Sequence, residues 1–525
     1  MKFLIIFLSL FYLSQETQGI NILFLEIVAS PSHHIWIKTL LTALAARGHN
    51  VTSVSADREV NSIPNLHYLH LDKVYEVLYD TSNADHGEDM DFMNMGQLNP
   101  FRQYYIFNSY CEQVITGCVK SKGYKELLDY PDGFKFDLIM YDHTIGPILL
   151  PFVEKFGNPP LIATTAFYGV STAASFTGSP LTPSFVPFSF VYVDVTTFWG
   201  RITNHLVTYL DYFVKEYYLT SEIEMATRKD FPKGSSVRKI EKNTKLVLLN
   251  KNPVVDIAEP VMPNVIPVGG LQVQRTKELP KDLQEILDQA QKGAILFSLG
   301  TNAQSSHLGP SRITEILEAF RSLPEYTILW KFEADSLPVS VPSNVFIRKW
   351  LPQSDILAHR NVKLFITHCG LLSLQEATWF GVPVLGLPIF SDQFSNIKQS
   401  VKAGIGEQGN ILNIDRHSFR ALMEKLLRDR KYRKNARIRS EAFRDQKETP
   451  LERAVWWTEF VLRHPNMTFM RSPSLDQNFA VRHSWDVLAF FFTTILITLI
   501  VSLKLSCCVL RSCLKKNKPK KSKRE

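Results

Sequence analysis

Short apolar runs and longer amphipathic stretches alternate along the first half of the chain. A strand is predicted at Asn21–Val28, a helix at Ile35–Arg47 that Gly48 ends, and further strands at Val51–Ser55 and Phe136–Tyr141. Apolar runs of this length between helical stretches are typical of parallel sheets with helices on both faces. The pattern therefore favours an α/β fold over an all-helical or all-β one.

The same alternation restarts after an apparent linker around Pro260–Gly270. Strands are predicted at Ala294–Leu299, Thr327–Phe332, Val345–Ile347, Leu364–Thr367 and Val382–Leu387. We predict two doubly wound, Rossmann-like α/β domains that face a cleft, an N-terminal domain at 20–265 and a C-terminal domain at 266–465. Ligands of such sheets bind beyond the carboxyl ends of the strands, so polar residues at those ends are candidates for a functional site.

The first residues have the pattern of a targeting segment. Lys2 precedes an apolar run at 3–13, and the small residue Gly19 follows a polar stretch. This order is typical of a secretory signal peptide, and the run is too short to cross a bilayer comfortably. We predict a signal peptide at 1–19.

A second long apolar stretch lies near the other end. Residues 487–503 contain no charge, proline or glycine, and apolar character resumes after Lys504. A helix of this length covers most of the hydrocarbon core of a bilayer. We predict a transmembrane helix at 487–510, preceded by a juxtamembrane segment at 466–486.

Charge is unevenly distributed along the chain, which has 59 Lys and Arg against 51 Asp and Glu, a net charge of +8. Residues 504–525 contain nine Lys and Arg and one Glu, so the excess lies in the tail and the body is neutral. A neutral body argues against a nucleic-acid partner. Positive charge after an apolar helix predicts a single-pass type I protein with a lumenal body and a basic cytosolic tail at 511–525.

Short motifs suggest sorting and glycosylation. Lys521 and Lys523 have the spacing of a dilysine retrieval signal, which predicts the endoplasmic reticulum membrane. Asn466 begins an acceptor triplet in an exposed approach to the membrane, and we expect it to be glycosylated. Asn50 begins a second triplet, but it opens a predicted buried strand, so we expect it to stay unmodified.

The six cysteines do not form a disulfide framework. Cys111 and Cys118 are seven residues apart in a predicted helix, about 10 Å along its axis and beyond disulfide reach. Cys507, Cys508 and Cys513 cluster at the membrane end, where palmitoylation and simple lipid contact are both open.

Aromatic residues are concentrated in one stretch of the chain, ahead of the apparent linker. The stretch Phe185–Tyr218 contains eleven of them, including Phe198 and Trp199. Three interpretations remain open: an apolar ligand pocket, a surface patch that dips into the membrane, and an ordinary helical core.

A histidine and an acid follow two strands of the first predicted sheet. Ser32-His33-His34 lies after the first strand, and Asp142 ends the later strand at the same edge. A His–Asp pair is an oriented general base, because the acid fixes the tautomer and stabilises the imidazolium. No Gly-x-Ser-x-Gly elbow is present, so a serine hydrolase is not supported.

Further polar clusters follow strands of the second predicted sheet. His368-Cys369-Gly370 joins a strand to a helix that begins near Leu371, and such a helix N-terminus suits a phosphate. Glu376 on the first turns can hold ribose hydroxyls. Asp392 and Gln393, after the next strand, offer acceptors and donors for a polyol.

Two other motifs have the wrong context. The string at 404–409 matches a dinucleotide fingerprint, but it follows a predicted helix at Phe394–Ala403, so we interpret it as a helix cap and turn. Asp89-Met90-Asp91 has the form of a metal-binding triplet, but no strand precedes it. We predict no required metal.

The segment from Trp350 to Gly406 strongly resembles the membrane-bound UDP-glycosyltransferases, the family that contains the UDP-glucuronosyltransferases. The resemblance rests on Trp350-Leu351-Pro352-Gln353, Phe365–Gly370, Glu376-Ala377, Gly381-Val382-Pro383 and Asp392-Gln393. It extends over nearly the whole chain. The segments Ala45–His49 and Leu296–Thr301 are most similar to invertebrate members.

The resemblance implies a GT-B fold and a role for each matching residue. His33, fourteen residues before Arg47-Gly48-His49, corresponds to the catalytic base and Asp142 to its partner acid. The implied donor contacts are Trp350 and Gln353 to uracil, Ser298, Thr301, His368 and Ser373 to the diphosphate, with Gly370 in its turn, Glu376 to ribose, and Asp392 and Gln393 to the sugar. Leu372 stands where many relatives have Asn, and Cys369 where Gly is frequent.

The implied reaction is an inverting, metal-independent transfer of a hexose from a UDP-sugar to hydroxyl groups of small lipophilic acceptors, as in detoxification. Glucose is favoured as the sugar, glucuronic acid is next, and no cofactor is expected beyond the UDP-sugar co-substrate. A membrane-anchored protein that binds nucleotide sugars or lipophiles without catalysis is the alternative, although the His33–Asp142 pair would be superfluous there. A nucleotide-dependent oxidoreductase is less supported, and a homo-oligomer is compatible with the sequence.

Overall fold

The computed structural model describes residues 19–59, 61–79, 92–334, 337 and 339–516. The signal-peptide segment before Gly19, the Asp89-Met90-Asp91 triplet and the lysines Lys521 and Lys523 lie outside the described residues. The chain divides into two units between Arg471 and Ser472.

Two sheets, all of whose strand pairs are parallel, form the framework of the first unit. The first sheet has the order β3-β2-β1-β4-β5-β6-β7 and the second the order β10-β9-β8-β11-β12-β13. The strands are β1 (Asn21–Leu25), β2 (Asn50–Ser55), β3 (Leu66–His70), β4 (Leu138–Asp142), β5 (Leu161–Thr165), β6 (Thr244–Leu249), β7 (Val265–Pro267), β8 (Ala294–Ser298), β9 (Thr327–Lys331), β10 (Val345–Arg348), β11 (Val362–Thr367), β12 (Val384–Gly386) and β13 (Gly406–Gln408). The predicted pair of doubly wound domains is confirmed.

Helices cover the faces of both sheets. They are α1 (Pro31–Ala46), α2 (Val74–Leu78), α3 (Phe92–Met95), α4 (Pro100–Lys120), α5 (Lys122–Leu128), α6 (Phe152–Lys155), α7 (Ala174–Thr177), α8 (Phe198–Phe213), α9 (Thr220–Thr227), α10 (Val237–Glu241), α11 (Lys281–Gln289), α12 (Pro310–Arg321), α13 (Gln353–Ala358), α14 (Leu371–Phe380), α15 (Gln393–Lys402), α16 (Arg416–Arg428), α17 (Arg430–Arg444) and α18 (Pro450–Arg463). A π-helical segment, Val214–Leu219, joins α8 to α9.

Each sheet has one point at which the strand order reverses direction. In the first sheet β1 pairs with β2 on one side and with β4 on the other. In the second, β8 pairs with β9 and with β11. Ligands of open α/β sheets bind beyond the carboxyl ends of the strands at such a reversal. The residues after β1, β4, β8 and β11 are therefore the ones that the topology brings to the cleft.

The strands are buried because both of their faces are covered. All five residues of β4 and all five of β8 are buried, which is typical of parallel sheets. Helix α1 begins at Pro31, whose fixed φ suits the first helical turn, four residues earlier than predicted. His33 consequently lies within the first turn of the helix rather than in the loop before it.

The glycine string at 404–409 is a turn followed by a strand. Gly404 adopts a φ of +66° after α15, in keeping with the predicted cap. Residues Gly406–Gln408, however, form β13 and pair with β12 in parallel. The prediction of a turn was therefore wrong for these three residues, because so short an edge strand leaves no periodic pattern.

Helix α18 follows the second sheet in sequence but packs on the first. Ala454, Val455 and Val461 belong to the same apolar cluster as Ile22 and Trp36 of β1 and α1. Helix α18, near the end of the first unit, thus completes the apolar core of the first sheet.

The second unit contains α19 (Phe479–Arg482) and the long helix α20 (Trp485–Lys516). Within α20, the stretch Trp485–Cys513 is 29 residues long, apolar and unburied, and it is long enough to span a membrane. Cys111 and Cys118 in α4 are buried free thiols, as their spacing predicts.

Candidate active site

His33 and Asp142 lie together at the point where the strand order of the first sheet reverses, which we call the first switch point. His33 Nδ1 lies 3.1 Å from Asp142 Oδ2, and the two residues are 7% and 5% exposed. His33 is placed by the first turn of α1 after β1, and Asp142 is the last residue of the adjacent strand β4. With Asp142 ionised, Nδ1 donates the hydrogen bond, so Nε2 carries the free lone pair. The arrangement is that of an oriented general base.

The surroundings of Asp142 keep it ionised. Burial alone would raise its pKa, but the hydrogen bond and charge of His33 and the backbone N–H of Thr144 hold the pKa below the ordinary value. Thr144 N donates to Asp142 Oδ1 at 2.8 Å, so both carboxylate oxygens have donors. An ionised, fixed carboxylate is what an imidazolium intermediate requires.

His34, the neighbouring histidine, points into a separate buried cluster. Its Nδ1 lies 2.9 Å from Glu26 Oε2, and its Nε2 lies 3.2 Å from Glu59 Oε1. Burial opposes protonation, but Glu26, Asp57 and Glu59 together raise the pKa of His34 to about 8. Both ring nitrogens are occupied by carboxylates, so His34 is unsuited to accept a proton from a substrate.

A cavity of about 290 Å³ lies at the second switch point. Seven of the donor residues predicted from the resemblance line it together with Gly370: Ser298, Thr301, Trp350, Gln353, His368, Ser373 and Glu376. The Trp350 side chain is 62% exposed, so one face of the indole is open for stacking. Asp392 and Gln393 are not among the residues that line this cavity.

Three polar side chains on α13 and α14 are linked in one wall of the cavity. Gln353 Nε2 donates to Glu376 Oε2 at 2.6 Å and to Ser373 Oγ at 3.1 Å. Burial raises the pKa of Glu376 to about 7, although the bond from Gln353 opposes the rise. This wall offers a carboxylate, an amide and a hydroxyl to a polyhydroxylated ligand.

His368 is held close to two glycines at the mouth of β11. A methyl group added at Gly300, which has a φ of +83°, would lie 2.4 Å from the His368 ring. Burial and the nearby Lys331 lower the pKa of His368 to about 4. The ring is therefore neutral at physiological pH and can offer a ligand a hydrogen bond but not a positive charge.

Asp392 and Gln393 lie at the start of α15, where they brace the preceding loop. Asn396 Nδ2 donates to Asp392 Oδ2 at 2.7 Å, and Gln393 Oε1 accepts from the backbone N–H groups of Ile389 and Phe390. Burial raises the pKa of Asp392 to about 7, and the charge of His33 acts against this rise. The preceding residue, Ser391, lines the cavity that opens beside His33, so the start of α15 lies near the His33–Asp142 pair.

A second, smaller cavity of about 140 Å³ opens beside His33. Six Phe and Tyr side chains line it, among them Phe107, Tyr110, Phe167 and Phe190. The predicted aromatic stretch is thus divided in its use: Phe190 lines this cavity, whereas Trp199 on α8 is 74% exposed. Phe190 also belongs to a buried apolar cluster with Tyr104 and Phe188, so the pocket and core interpretations both apply to it, whereas neither applies to Trp199.

One hydrogen-bonded contact joins the two cavities across the cleft. Asn302 lines both of them, and its Nδ2 donates to Ser30 Oγ at 3.0 Å. Ser30 precedes the helix that carries His33, and Asn302 follows the loop that carries Thr301. The contact couples the base to the loop of the opposite sheet.

Sequence reasoning missed two polar residues of the cleft. Lys331 at the end of β9 lines the larger cavity, and its Nζ donates to Gly300 O at 2.8 Å. It is a cation in a cavity that carries the predicted diphosphate contacts. Asn302 was also missed. Lys331 stands at the carboxyl end of a predicted strand and could have been found by that rule, whereas nothing in the sequence pairs Asn302 with Ser30.

The two departures from the family pattern have structural consequences. Cys369 has a φ of +69°, the left-handed region in which glycine is unstrained, which explains why glycine is frequent there. Leu372 lines the cavity, and its side chain packs against the apolar cluster of the first sheet. An apolar contact across the cleft therefore occupies the position of a polar one.

His143, next to Asp142, makes the stability of the fold depend on pH. The side chain is 1% exposed, neither ring nitrogen has a hydrogen-bond partner among the described residues, and burial lowers its pKa to about 4. As pH falls below 6.5, His143 becomes protonated in the unfolded chain but stays neutral in the folded protein. The free energy of unfolding therefore decreases between pH 6.5 and 4. Between pH 7.5 and 5 the loss from this residue is about 2 kcal/mol.

Thermal unfolding of the wild type and of His143→Leu at both pH values measures this effect. The variant should keep about 2 kcal/mol more of its pH 7.5 stability at pH 5 than the wild type does. Equal losses in the two proteins would show that His143 does not contribute. His368 carries the same sign and is unchanged in both proteins, so it cancels in the comparison.

Comparison with known proteins identifies the family. The family model for UDP-glucoronosyl and UDP-glucosyl transferase matches residues 23–520. UDP-glycosyltransferase UGT5 of Dactylopius coccus is 31% identical over 494 residues, which cover 92% of this chain and 90% of that protein. Human UDP-glucuronosyltransferase 1A6 is 27% identical over 505 residues, which cover 94% of this chain and 92% of that protein.

A solved structure, the calicheamicin glycosyltransferase CalG4, has a similar fold. The TM-score is 0.56 at 17% identity, over 85% of this chain and 99% of that one. Two parallel sheets with a cleft at their strand-order reversals are the architecture of the GT-B fold. The chain belongs to the UDP-glycosyltransferase family, and the predicted family, fold class and enzyme class are confirmed.

Proposed function

We propose that the protein transfers a hexose, preferably glucose and otherwise glucuronic acid, from a UDP-sugar to a hydroxyl group of a small lipophilic acceptor, with inversion and without a metal. The 3.1 Å contact between His33 Nδ1 and Asp142 Oδ2 carries this proposal. An oriented base beside an aromatic cavity supports hydroxyl activation, which a protein that only binds its ligands would not need.

The reaction is a single displacement. His33 Nε2 takes the proton of the acceptor hydroxyl, and Asp142 stabilises the resulting imidazolium. The acceptor oxygen forms a bond to the anomeric carbon while the bond from that carbon to the phosphate oxygen breaks, and UDP leaves with the electron pair. One displacement from the face opposite the leaving group inverts the configuration.

The larger cavity receives the donor. We assign the uracil ring to Trp350 and Gln353, the ribose to Glu376, the sugar to Asp392 and Gln393, and the diphosphate to Ser298, Thr301, His368 and Ser373. Helix α14 begins at Leu371, so its free N–H groups and dipole face the same region. Lys331 adds a cation, and together these groups meet the charge that develops on the diphosphate.

The acceptor occupies the cavity beside His33. Its lining by Phe107, Tyr110, Phe167 and Phe190 favours a lipophilic alcohol or phenol. With α20 as a membrane anchor, the predicted signal peptide and basic tail support a lumenal body in the endoplasmic reticulum membrane. Glycosylation of Asn466 fits its exposed position after α18.

A panel of radiolabelled UDP-sugars tests the proposal. Microsomes that contain the full chain are incubated with UDP-glucose, UDP-glucuronic acid and other UDP-hexoses, each with several phenols and with or without EDTA. We expect transfer of glucose from UDP-glucose, in which the sugar is α-linked, to give a β-glycoside. EDTA should not change the rate of transfer. Binding of UDP-sugars without transfer from any of them would favour the non-catalytic alternative.

Replacing Glu376 by Ala should raise the KM for the UDP-sugar about 10- to 100-fold with little change in kcat. A hydrogen bond between ribose and a carboxylate contributes about 1.5–3 kcal/mol, and the contact exists before and during the chemical step. Initial rates over a range of donor concentrations measure both constants.

Asp355→Asn is the matched control for Glu376→Ala. Asp355 lines the same cavity, but its Oδ1 accepts the backbone N–H of Lys277 at 2.8 Å. The KM of the Asp355→Asn variant for the UDP-sugar should change less than about threefold, since no donor contact is lost. An equal rise in the KM for the UDP-sugar in both variants would contradict the assignment of Glu376 to the ribose.

A further inference from the structure

Asn302 borders both cavities of the cleft. Among the residues that line these two cavities in the described part of the chain, Asn302 alone lines both of them. It lies in the loop after β8, next to Thr301, and it is exposed rather than packed in an apolar core. A ligand that enters either cavity can therefore reach the Asn302 side chain.

The reaction places the transferred sugar at the junction of the two cavities, a statement that rests on the proposed function. In a single displacement, the anomeric carbon is bonded to the phosphate oxygen on one face while the acceptor oxygen attacks the other face. The reacting atoms must come within about 3–3.5 Å of each other before the step. With the diphosphate in the larger cavity and the acceptor in the smaller one, the sugar lies beside the residue that borders both.

Hydrogen bonds on both sides of Asn302 fix its loop to strand β9. On one side, Lys331 Nζ donates to Gly300 O at 2.8 Å. On the other side, Trp330 Nε1 donates to Ser305 Oγ at 3.1 Å, and Ser305 Oγ donates to Lys331 O at 3.0 Å. A polar group on a loop that is already fixed binds a ligand with a smaller loss of conformational entropy than one on a mobile loop.

The Asn302 amide keeps hydrogen-bonding capacity for a ligand. Ser30 Oγ lies 3.0 Å from Asn302 Nδ2 and 3.2 Å from Asn302 Oδ1, and it also lies 3.0 Å from Ser32 Oγ. A primary amide has two N–H donors and an oxygen with two lone pairs, and a single hydroxyl group satisfies only part of them. The contact with Ser30 orients the amide, and the remaining donor and acceptor are available to a second partner.

The charges around Asn302 suit an uncharged sugar. Among the described residues that line the smaller cavity, none is Lys, Arg, Asp or Glu. Lys331 is the one Lys or Arg among the described residues that line the larger cavity, and its Nζ already contacts Gly300 O and Glu333 Oε1, the latter at 2.9 Å. A sugar carboxylate at the junction would lose water without meeting a free cation, which costs free energy.

We propose that Asn302 binds a hydroxyl group of the transferred hexose and favours an uncharged hexose over a uronic acid. Asp392 and Gln393, which we assign to the same sugar, lie at the start of α15, and Ser391 beside them lines the smaller cavity together with Asn302. Gln393 Oε1 already accepts two backbone N–H groups, and Asp392 Oδ2 accepts from a neighbouring side chain. Asn302 therefore supplies hydrogen-bonding groups that these two residues cannot offer alone.

Kinetics with deoxygenated donors test the contact. Microsomes that contain the full chain, as wild type or as Asn302→Ala, are assayed with UDP-glucose and with its 2-, 3-, 4- and 6-deoxy analogues. For UDP-glucose, kcat/KM should fall about tenfold in the variant, the contribution of one hydrogen bond. For the analogue that lacks the contacted hydroxyl, the wild type should already be about tenfold slower, and the variant should lose little more, because the two changes remove the same interaction.

Ser30→Ala is the matched control. It removes the hydrogen bond between Ser30 and Asn302 but leaves the amide in place. If Asn302 contacts the sugar, kcat/KM of this variant should change by the same factor for UDP-glucose and for every deoxy analogue. A loss as large as that of Asn302→Ala, and dependent on the same hydroxyl group, would show instead that Asn302 acts only by joining the two halves of the cleft.

Calorimetry separates this proposal from the proposed function. Asn302→Ala should bind UDP, which has no hexose, within about threefold of the wild type, and it should bind UDP-glucose about tenfold more weakly. If the wild type transferred no sugar, the proposed function would fail, but this comparison would still decide whether Asn302 contacts the hexose. An equal loss of affinity for both ligands would assign the effect to the loop and overturn the contact.

Two kinetic results would also overturn the proposal. An equal loss in Asn302→Ala for UDP-glucose and for all four deoxy analogues would exclude a hydrogen bond to a sugar hydroxyl. A wild-type kcat/KM for UDP-glucuronic acid that equals or exceeds that for UDP-glucose would overturn the preference for an uncharged hexose. A loss that disappears with one deoxy analogue, together with at least a tenfold preference for UDP-glucose, supports the assignment.

Discussion

Replacing His33 by Gln should lower kcat for glycosyl transfer by about 10²- to 10⁴-fold, the usual contribution of a general base. Glutamine keeps a polar side chain of similar length but cannot accept a proton from the acceptor hydroxyl. The KM for the UDP-sugar should change less than about threefold, because the residues assigned to the donor all belong to the second sheet and its helices. Steady-state kinetics with a saturating phenol, together with UDP binding measured by calorimetry, test both expectations.

His34→Gln is the matched control, one residue further along the same helix. His34 contacts Glu26 and Glu59 and not Asp142, so kcat should stay within about threefold of the wild type. The variant should lose stability instead, since it removes a histidine whose pKa is raised to about 8 by buried carboxylates. Full activity in His33→Gln, or an equal loss of kcat in both variants, would contradict the assignment of His33 as the base.

Asp142→Asn should lower kcat by about 10²-fold or more, the second largest effect. An amide cannot stabilise the imidazolium, and its N–H group favours the tautomer in which His33 carries its proton on Nε2, where a base needs a lone pair. The oxygen that accepts the Thr144 N–H remains, so the end of β4 should keep its conformation. The kcat of the variant, measured from pH 6 to 9, is the test.

A double variant separates a shared role from two independent ones. If Asp142 acts through His33, the protein with both substitutions should be about as slow as His33→Gln alone. Effects that multiply would mean that Asp142 contributes to the reaction without the histidine. Thermal midpoints within a few degrees of the wild type would exclude loss of the fold as the cause.

The positions of the site residues could be predicted because they depend on topology. His33, Asp142, Ser298 and His368 all lie at the carboxyl ends of strands that were visible as apolar runs. A parallel sheet brings the carboxyl ends of its strands to one edge, and the reversal of the strand order opens a cleft there for the ligand. The strands missed were β3, β5, β6, β7 and β13, and of these β7 and β13 have only three residues each, too few for a periodic pattern.

Contacts between distant segments could not be predicted. Glu26 and Glu59 hold His34 in a cluster of charges, and no motif announces a histidine with a carboxylate on each nitrogen. The low pKa of His368 is equally invisible, because it arises from burial against Gly300 and from the nearby Lys331. The resemblance selects His33 rather than His34 as the base, and the different hydrogen-bond partners of the two histidines offer a physical reason for that choice.

The return of α18 to the first sheet has a mechanical consequence. The donor-binding half is, in topology, an insertion between β7 and α18, so the chain passes between the halves twice, once after Pro267 and once between Arg444 and Pro450. A lobe held at two points can rock about the line through them but cannot swing freely. Opening of the cleft should therefore follow a single hinge axis, and it would have to break the Ser30–Asn302 hydrogen bond, which joins the two halves.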